Sequence, residues 1–258
     1  MISLTDLIFT VDDLLTDEEC DFIIEEFGKN QIYKERCFES NSSEVRYSTV
    51  DITSLTPNTE VFNLVHAATD HLIYEYSQYL KELDFMWLDG MMGNLSHSHN
   101  YRLMKYSEGQ SIHEHVDKSE NIYGSATLSL NDRYEGGQFR FFKGKHKLKT
   151  KKRGGMIWPA EMYFVHGVSP ITEGNRWSVN SFLGVEECVT EDNRNVHGSD
   201  FWCHESTIPY CKKIRQSQEE FVPDESQTIN ARGRNFVNEI EQKKFYEVKT
   251  YNARALYG

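Results

Sequence analysis

Apolar positions recur at intervals of three and four residues in two stretches of the first hundred, the rhythm of helices with one buried face. Thr16-Asp-Glu-Glu19 is a capping box: the threonine hydroxyl is placed to accept from a backbone N–H, Glu19 reaches back to the cap, and Cys20, Ile23, Ile24 and Phe27 then make one stripe. A second helix is expected to start at Thr56-Pro57, where proline's missing N–H costs nothing, and to run Val61, Leu64, Val65, Ala68, Leu72, Tyr76 and Leu80 along one face. His66 and His71 on that helix read as packing or surface residues. Each helix has one apolar stripe, so each is expected to lie flat on a sheet.

From Asn100 onward the rhythm shortens to strand-like runs punctuated by Gly136-Gly137 and Gly154-Gly155, the spacing of an all-β barrel or sandwich. Thr127 and Ser129 share a strand face and read as an ordinary Thr/Ser strand surface, with the lining of a pocket as the alternative. After Glu187 the pattern dissolves. Residues 190–195 are polar and 216–234 are rich in Gln, Glu, Ser and Asn, which reads as loop, and a short helix is expected from Asn235 to about Lys249. The expected division is a catalytic-type domain over 1–187, with helical support over 1–99 and a β core over 100–187. Residues 188–258 form a C-terminal extension, partly mobile, read as a lid or an interaction segment.

Composition narrows the partners. A chain of 258 residues, 38% apolar and 13% aromatic, can bury a full core. The formal charge of −12 argues against nucleic acid or an anionic membrane, which are bound by clustered Lys and Arg, and makes a cationic or neutral substrate easier. The basic run from Lys143 to Arg153 is read as a solvated hairpin whose charge protects a sheet edge. No apolar run approaches a membrane span, and the N-terminal residues lack the basic leader of a signal peptide. Cys20, Cys37, Cys188, Cys203 and Cys211 are odd in number and lack metal spacing, as in a reduced, cytoplasmic protein.

The candidate chemistry lies in His115-Val-Asp117 and the later His166 and Arg176. Side chains two apart on a strand share a face, so His115 and Asp117 point the same way, and His166 must arrive from another strand. Two imidazoles and one carboxylate are the ligand set of a non-haem Fe(II) oxygenase, leaving positions for a bidentate anion and dioxygen. Alone, a His-x-Asp is a weak motif. His97-Ser-His99 is a second period-two pair, read as a surface loop because nothing completes it, and His113 shares a face with His115 and competes as a ligand. His146 lies in the basic run, and His197 and His204 in the tail; none is assigned a role.

Context strengthens the first set. Thr127-Leu-Ser-Leu-Asn131, Gly136-Gly-Gln-Phe-Arg-Phe-Phe142, Arg153-Gly-Gly-Met-Ile-Trp-Pro159, His166-Gly-Val-Ser-Pro170 and Arg176-Trp-Ser178 follow in order. Over about Leu103 to Leu183 the chain thereby resembles the Fe(II)- and 2-oxoglutarate-dependent dioxygenases, within them the prolyl 4-hydroxylase branch. The resemblance implies a mainly β fold with flanking α-helices around a double-stranded β-helix, or jelly roll. It implies Fe(II) on His115, Asp117 and His166, and favours His115 over His113. It also places Arg176 on the far carboxylate of 2-oxoglutarate, Ser178 beside it as a further hydroxyl, and Tyr106 in the co-substrate pocket, with ascorbate as an accessory reductant. A guanidinium suits that task, being a fixed fork that keeps its charge.

The activity so implied is hydroxylation of a C–H bond, of a prolyl residue in a peptide, with release of succinate and carbon dioxide and with no catalytic side chain beyond the metal ligands. Arginine at 176, where collagen-type relatives commonly carry lysine, loosens the substrate reading. Asp117 disfavours a halogenase, which needs that coordination site vacant, and Phe182 stands where nucleic-acid demethylases carry a second arginine. Two alternatives remain: a hydroxylase of a free amino acid or other small molecule, and a non-catalytic cupin-like binding module. The Arg176 and Ser178 pair argues against the module, which has no use for a carboxylate clamp.

Overall fold

The computed structural model describes residues 2–36, 45–53, 59–84, 88–118 and 121–185, with three two-residue strands beyond them. A 3-10 turn (Leu4–Leu7) leads into β1 (Phe9–Val11) and α1 (Asp17–Lys29). The capping box forms as read: Glu19 N–H donates to Thr16 Oγ1 at 3.2 Å, and Thr16 N–H donates to the Glu19 carboxylate at 2.7 Å. Acidic residues fill the first turn and Lys29 the last, which complements the helix dipole.

After β2 (Tyr33–Arg36) and β3 (Val45–Asp51) comes α2 (Glu60–Leu83). It begins later than the proline suggested. Thr59 is the cap, its Oγ1 accepting from Phe62 N–H at 3.3 Å, while Thr56 and Pro57 lie outside the described residues. His66 serves packing: its Nδ1 lies 2.7 Å from Tyr101 Oη, in the core. Among the described residues no helix is long and apolar enough to cross a membrane.

Past α3 (Leu88–Gly93) the chain is β: β4 (His97–Tyr106), β5 (Ile112–His115), β6 (Ile122–Ser129), β7 (Tyr134–Gly136), β8 (Phe139–Phe141), β9 (His146–Leu148), β10 (Gly155–Pro159), β11 (His166–Val168), β12 (Ile171–Gly174) and β13 (Arg176–Gly184). The large antiparallel sheet runs β1-β10-β6-β13-β4-β3-β2, and β14 (Ser199–Asp200) pairs with β4. The small sheet runs β5-β11-β8-β9, and β7 pairs with β12. The expected double-stranded β-helix, with helices on its outside, is the architecture observed.

Strand alternation divides the interior into two cores. Tyr101, Leu103, Ala126, Leu128, Ile157, Val179 and Leu183 face outward from the large sheet and meet the stripes of α1 and α2. Met104, Tyr106, Met156 and Trp158 face inward and meet Ile112, Phe139, Phe141 and Val168 of the small sheet. Because the period is two, the intervening positions of β4, β6 and β13 fall on the inner side, which is where the polar residues lie.

The basic run divides into two parts. Its start turns between β8 and β9, as expected of a hairpin. Its end is anchored on the acidic N-terminal region: Lys151 pairs with Asp12 at 2.8 Å, Lys152 with Asp17 at 3.2 Å and Asp21 at 3.1 Å, and Arg153 with Asp13. Two corrections concern strand placement. His97 and His99 are not on a surface loop but on β4, where His97 is buried; Thr127 and Ser129 are likewise buried, bonded to Asn180 and Thr150. Asn235–Phe236, where a helix was expected, is a strand, β16, pairing with β15 (Thr228–Ile229); the rest of that segment lies outside the described residues.

The two helix features can be separated by equilibrium urea unfolding. Thr16→Ala removes one cap and is expected to lower stability by about 1 kcal/mol. Leu72→Ala, fully buried between α2 and the sheet, is expected to lower it by about 2 to 5 kcal/mol through the cavity it leaves.

Candidate active site

The ligand residues are assembled by strand pairing. In the antiparallel β5–β11 pair, His115 and His166 are direct partners, and their rings lie 4.4 Å apart. Gly167 permits this approach, since a Cβ there would come within 2.7 Å of the Ile112 carbonyl. Asp117 follows two residues after His115 and closes the triangle. The donor atoms of His115, Asp117 and His166 all lie within 4.8 Å of one another.

Orientation is set by the surrounding bonds. His115 Nδ1 is 2.9 Å from the His113 carbonyl, and His166 Nδ1 is 2.9 Å from that of Phe164. A carbonyl can only accept, so each Nδ1 carries a proton and each ring is turned with Nε2 toward the site. Both Nε2 atoms converge on one carboxylate, His115 on Asp117 Oδ1 and His166 on Oδ2, each at 3.2 Å. Ser125 of the large sheet donates to Oδ2 at 2.7 Å. Burial pushes the Asp117 carboxyl up, but the two imidazoles more than offset this and hold it well below the usual carboxylate range. Burial likewise opposes a charge on His115, and Asp117 overrides it, raising the imidazole's pKa. His113 is exposed and contributes its carbonyl, not its ring.

Arg176, Ser178 and Tyr106 form a second group on the inner face of the large sheet. Tyr106 and Arg176 are direct partners across β4 and β13, and the guanidinium lies 5.0 Å from the Tyr106 ring centroid and 5.0 Å from that of Phe139. Arg176 is 2% exposed, and Nη1 donates to Ser178 Oγ at 3.3 Å, whereas Nη2 is buried with no partner among the described residues. The Gly136-Gly137 turn makes room for it: Gly137 has φ of +64°, and a Cβ there would lie 3.1 Å from Arg176 Cδ. Burial pushes the Tyr106 phenol up, against the opposing effect of Arg176, so it stays protonated.

A cavity of about 490 Å³, its open mouth included, is lined by His115, Asp117 and His166 together with Trp158, Phe139 and Val168. The Arg176 group adjoins it through two lining residues: Phe139 packs on the guanidinium, and Met104 Sδ is 3.8 Å from Tyr106 Oη.

Residues 101–184 match the family described as the 2OG-Fe(II) oxygenase superfamily. These residues, about a third of the chain, are similar to that superfamily. Among curated proteins, a PKHD-type hydroxylase of Cupriavidus pinatubonensis is 33% identical over 104 residues, 35% of this chain and 44% of that protein. One of Methylobacterium nodulans is 29% identical over 106 residues, 36% of this chain and 45% of that protein. The chain thus matches less than half the length of these relatives. Among solved structures, a Pseudomonas putida prolyl-4-hydroxylase superposes with a TM-score of 0.53 at 17% identity, over 69% of this chain and 93% of that one. A prolyl hydroxylase from Trichoplax adhaerens, solved with a hypoxia inducible factor peptide fragment, gives 0.54 at 14%, over 70% and 84%. These likenesses establish the prolyl 4-hydroxylase-like form of the fold.

An oxygenase domain of this superfamily works with Fe(II) and 2-oxoglutarate, and the residues present fit both groups. Two imidazole Nε2 atoms and an ionised carboxylate converge where a cation would sit. A buried guanidinium with an unpaired N–H is incomplete without an anion. The structure brings together the six residues singled out in the sequence and adds Ser125 and, on the cavity wall, Arg102. Ser125 continues the Thr127 and Ser129 alternation by one step, a signal that was available. Arg102 had none.

Ser125→Ala is expected to leave the fold intact and to weaken Mn(II) or Fe(II) binding by about 10- to 100-fold, because the carboxylate loses the bond that orients it. Titration calorimetry on the anaerobic protein measures this directly.

Proposed function

We propose that the chain is an Fe(II)- and 2-oxoglutarate-dependent dioxygenase that hydroxylates a C–H bond, on a prolyl residue in a peptide or protein. The observation that carries the reading is the convergence of His115 Nε2, His166 Nε2 and the Asp117 carboxylate at 3.2 Å beside a buried, incompletely bonded Arg176. Iron with 2-oxoglutarate and dioxygen supplies the oxidising power for the hydroxylation, with succinate and carbon dioxide as co-products.

The chain's own residues supply position and exclusion. His115, Asp117 and His166 would hold the iron, each imidazole oriented through Nδ1 by a backbone carbonyl and turning Nε2 toward the Asp117 carboxylate. Arg176, with Ser178 and Tyr106, grips the far carboxylate of 2-oxoglutarate by charge-assisted hydrogen bonds. Trp158, Phe139 and Phe141 pack around His166, with ring centroids 5.0 Å and 5.5 Å from its imidazole for Trp158 and Phe141, and keep water from that side. No side chain is required as a general acid or base.

Apolar side chains beside the ligands support a peptide substrate. Val116 is 39% exposed, Met162 64% and Tyr163 65%, and Lys118 ties their two segments together through Glu161 at 2.9 Å. An amino-acid or small-molecule hydroxylase is the second reading, and the arginine at 176 is compatible with either. The cupin-like module is disfavoured, since an uncompensated buried guanidinium serves no purpose in it. Residues 1–187 are proposed as the catalytic unit, 188–258 as a separate extension, and the cytoplasm as the compartment.

Succinate formation by the purified chain with Fe(II), 2-oxoglutarate and oxygen, with and without proline-containing peptides and free amino acids, tests this. Peptide-stimulated succinate is expected, and alanine at His115, Asp117 or His166 should abolish it without unfolding the domain; activity retained in His166→Ala would sink the ligand assignment. Arg176→Ala is expected to weaken 2-oxoglutarate binding by about 2 to 3 kcal/mol while metal still binds. An unchanged 2-oxoglutarate affinity would move the anchor elsewhere.

A further inference from the structure

The cavity has a second cationic wall that neither the iron nor the co-substrate reading uses. Arg102 lies on β4 directly opposite Asn180 of β13, and both line the cavity. Its guanidinium is held by neutral groups. The carbon at its centre lies 5.2 Å from the ring centroid of Phe182, another lining residue, and the Asn100 amide oxygen, in the orientation that satisfies both partners, accepts from Nε and Nη2 at 3.0 Å.

Neither contact neutralises the charge. None of the ion pairs among the described residues involves Arg102. Asp51, its partner on β3, accepts instead from Thr53 N–H at 3.0 Å. Among the described residues the one carboxylate on the cavity wall is Asp117, already engaged by two imidazoles and Ser125. Arg46 on β3 has its Nε buried without a partner among the described residues. Although the chain carries −12 overall, Arg102 sets a positive charge on this stretch of the cavity wall, and a partly enclosed wall concentrates its field.

Arg102 is also badly placed to share the co-substrate with Arg176. Arg176 pairs with Tyr106, four positions along β4 from Arg102, or roughly 13 Å at the strand rise. The two guanidiniums therefore stand at different ends of the inner face.

We propose that Arg102, stacked on Phe182, is a specificity-determining residue that binds a carboxylate of the substrate. The carboxylate comes from an aspartate or glutamate beside the hydroxylated residue of a peptide, or is the α-carboxylate of a free amino acid. This rests on the oxygenase reading of the site and narrows it. If the source is an acidic peptide, it also reverses the expectation, drawn from net charge, that a cationic or neutral substrate is favoured.

The test is titration calorimetry on the full chain loaded with Mn(II) and 2-oxoglutarate, where no turnover intervenes. The probes are matched pairs: acetylated tripeptide amides with aspartate or asparagine on either side of proline, and free L-proline against L-prolinamide. At least one carboxylate member is expected to bind about tenfold or more tighter than its amide, as a charge-assisted pair would. In Arg102→Gln that ratio should collapse toward one, in Arg102→Lys it should partly return, and in both 2-oxoglutarate affinity should move by less than about twofold. Which pair shows the effect identifies the source of the carboxylate. No carboxylate preference in the wild type, a preference that survives in Arg102→Gln, or a parallel loss of 2-oxoglutarate affinity would each overturn the assignment. A carboxylate preference without succinate in any turnover assay would remove the oxygenase reading and leave Arg102 standing; succinate without the preference would do the reverse.

Discussion

The direct pairing of His115 with His166 across β5 and β11 is the contact on which the site depends. Shift that register by one residue and every side chain on one strand changes face, leaving a single imidazole beside Asp117. The pairing also places the carboxylate between the two layers. Asp117 receives both imidazoles on the small sheet and Ser125 from the large one, so one side chain ties the layers together at the point where the chemistry is proposed.

Around that point the large sheet has two different faces. Its outer residues are apolar because α1 and α2 cover them, and that core supplies the stability. Its inner face is therefore free to carry Arg102, Ser125, Arg176 and Asn180, polar groups that would weaken a sheet relying on that face for burial. Arg176 is the extreme case. A guanidinium removed from water without a carboxylate is costly, and Tyr106 and Phe139 only partly compensate it. The site is thus prepared for an anion before any anion arrives.

Charge shows the same separation of scales. Acidic residues dominate the total, and several are spent on the exterior, where Asp12, Asp13, Asp17 and Asp21 hold the end of the basic run. The cavity sees a different field, set by the few groups that line it. Net charge describes encounter and solubility; recognition follows the local wall.

The amino-acid sequence alone determined what depends on near neighbours in the chain. The two-residue spacing kept His115 and Asp117 close, although Asp117 lies beyond the end of β5, the Thr16 capping box set the start of α1, and the apolar stripe of α2 located that helix, though not its first residue. The motif order from Thr127 to Ser178 pointed to the fold and to Arg176. Only the tertiary structure decided which strands lie side by side. It placed His97 and His99 inside β4, Thr127 and Ser129 in the interior, Tyr106 against Arg176, Ser125 on Asp117, and Arg102 over Phe182. Each of these joins residues from separate strands, and no local periodicity carries the register between two strands; that is set when the two faces of the large sheet find their partners.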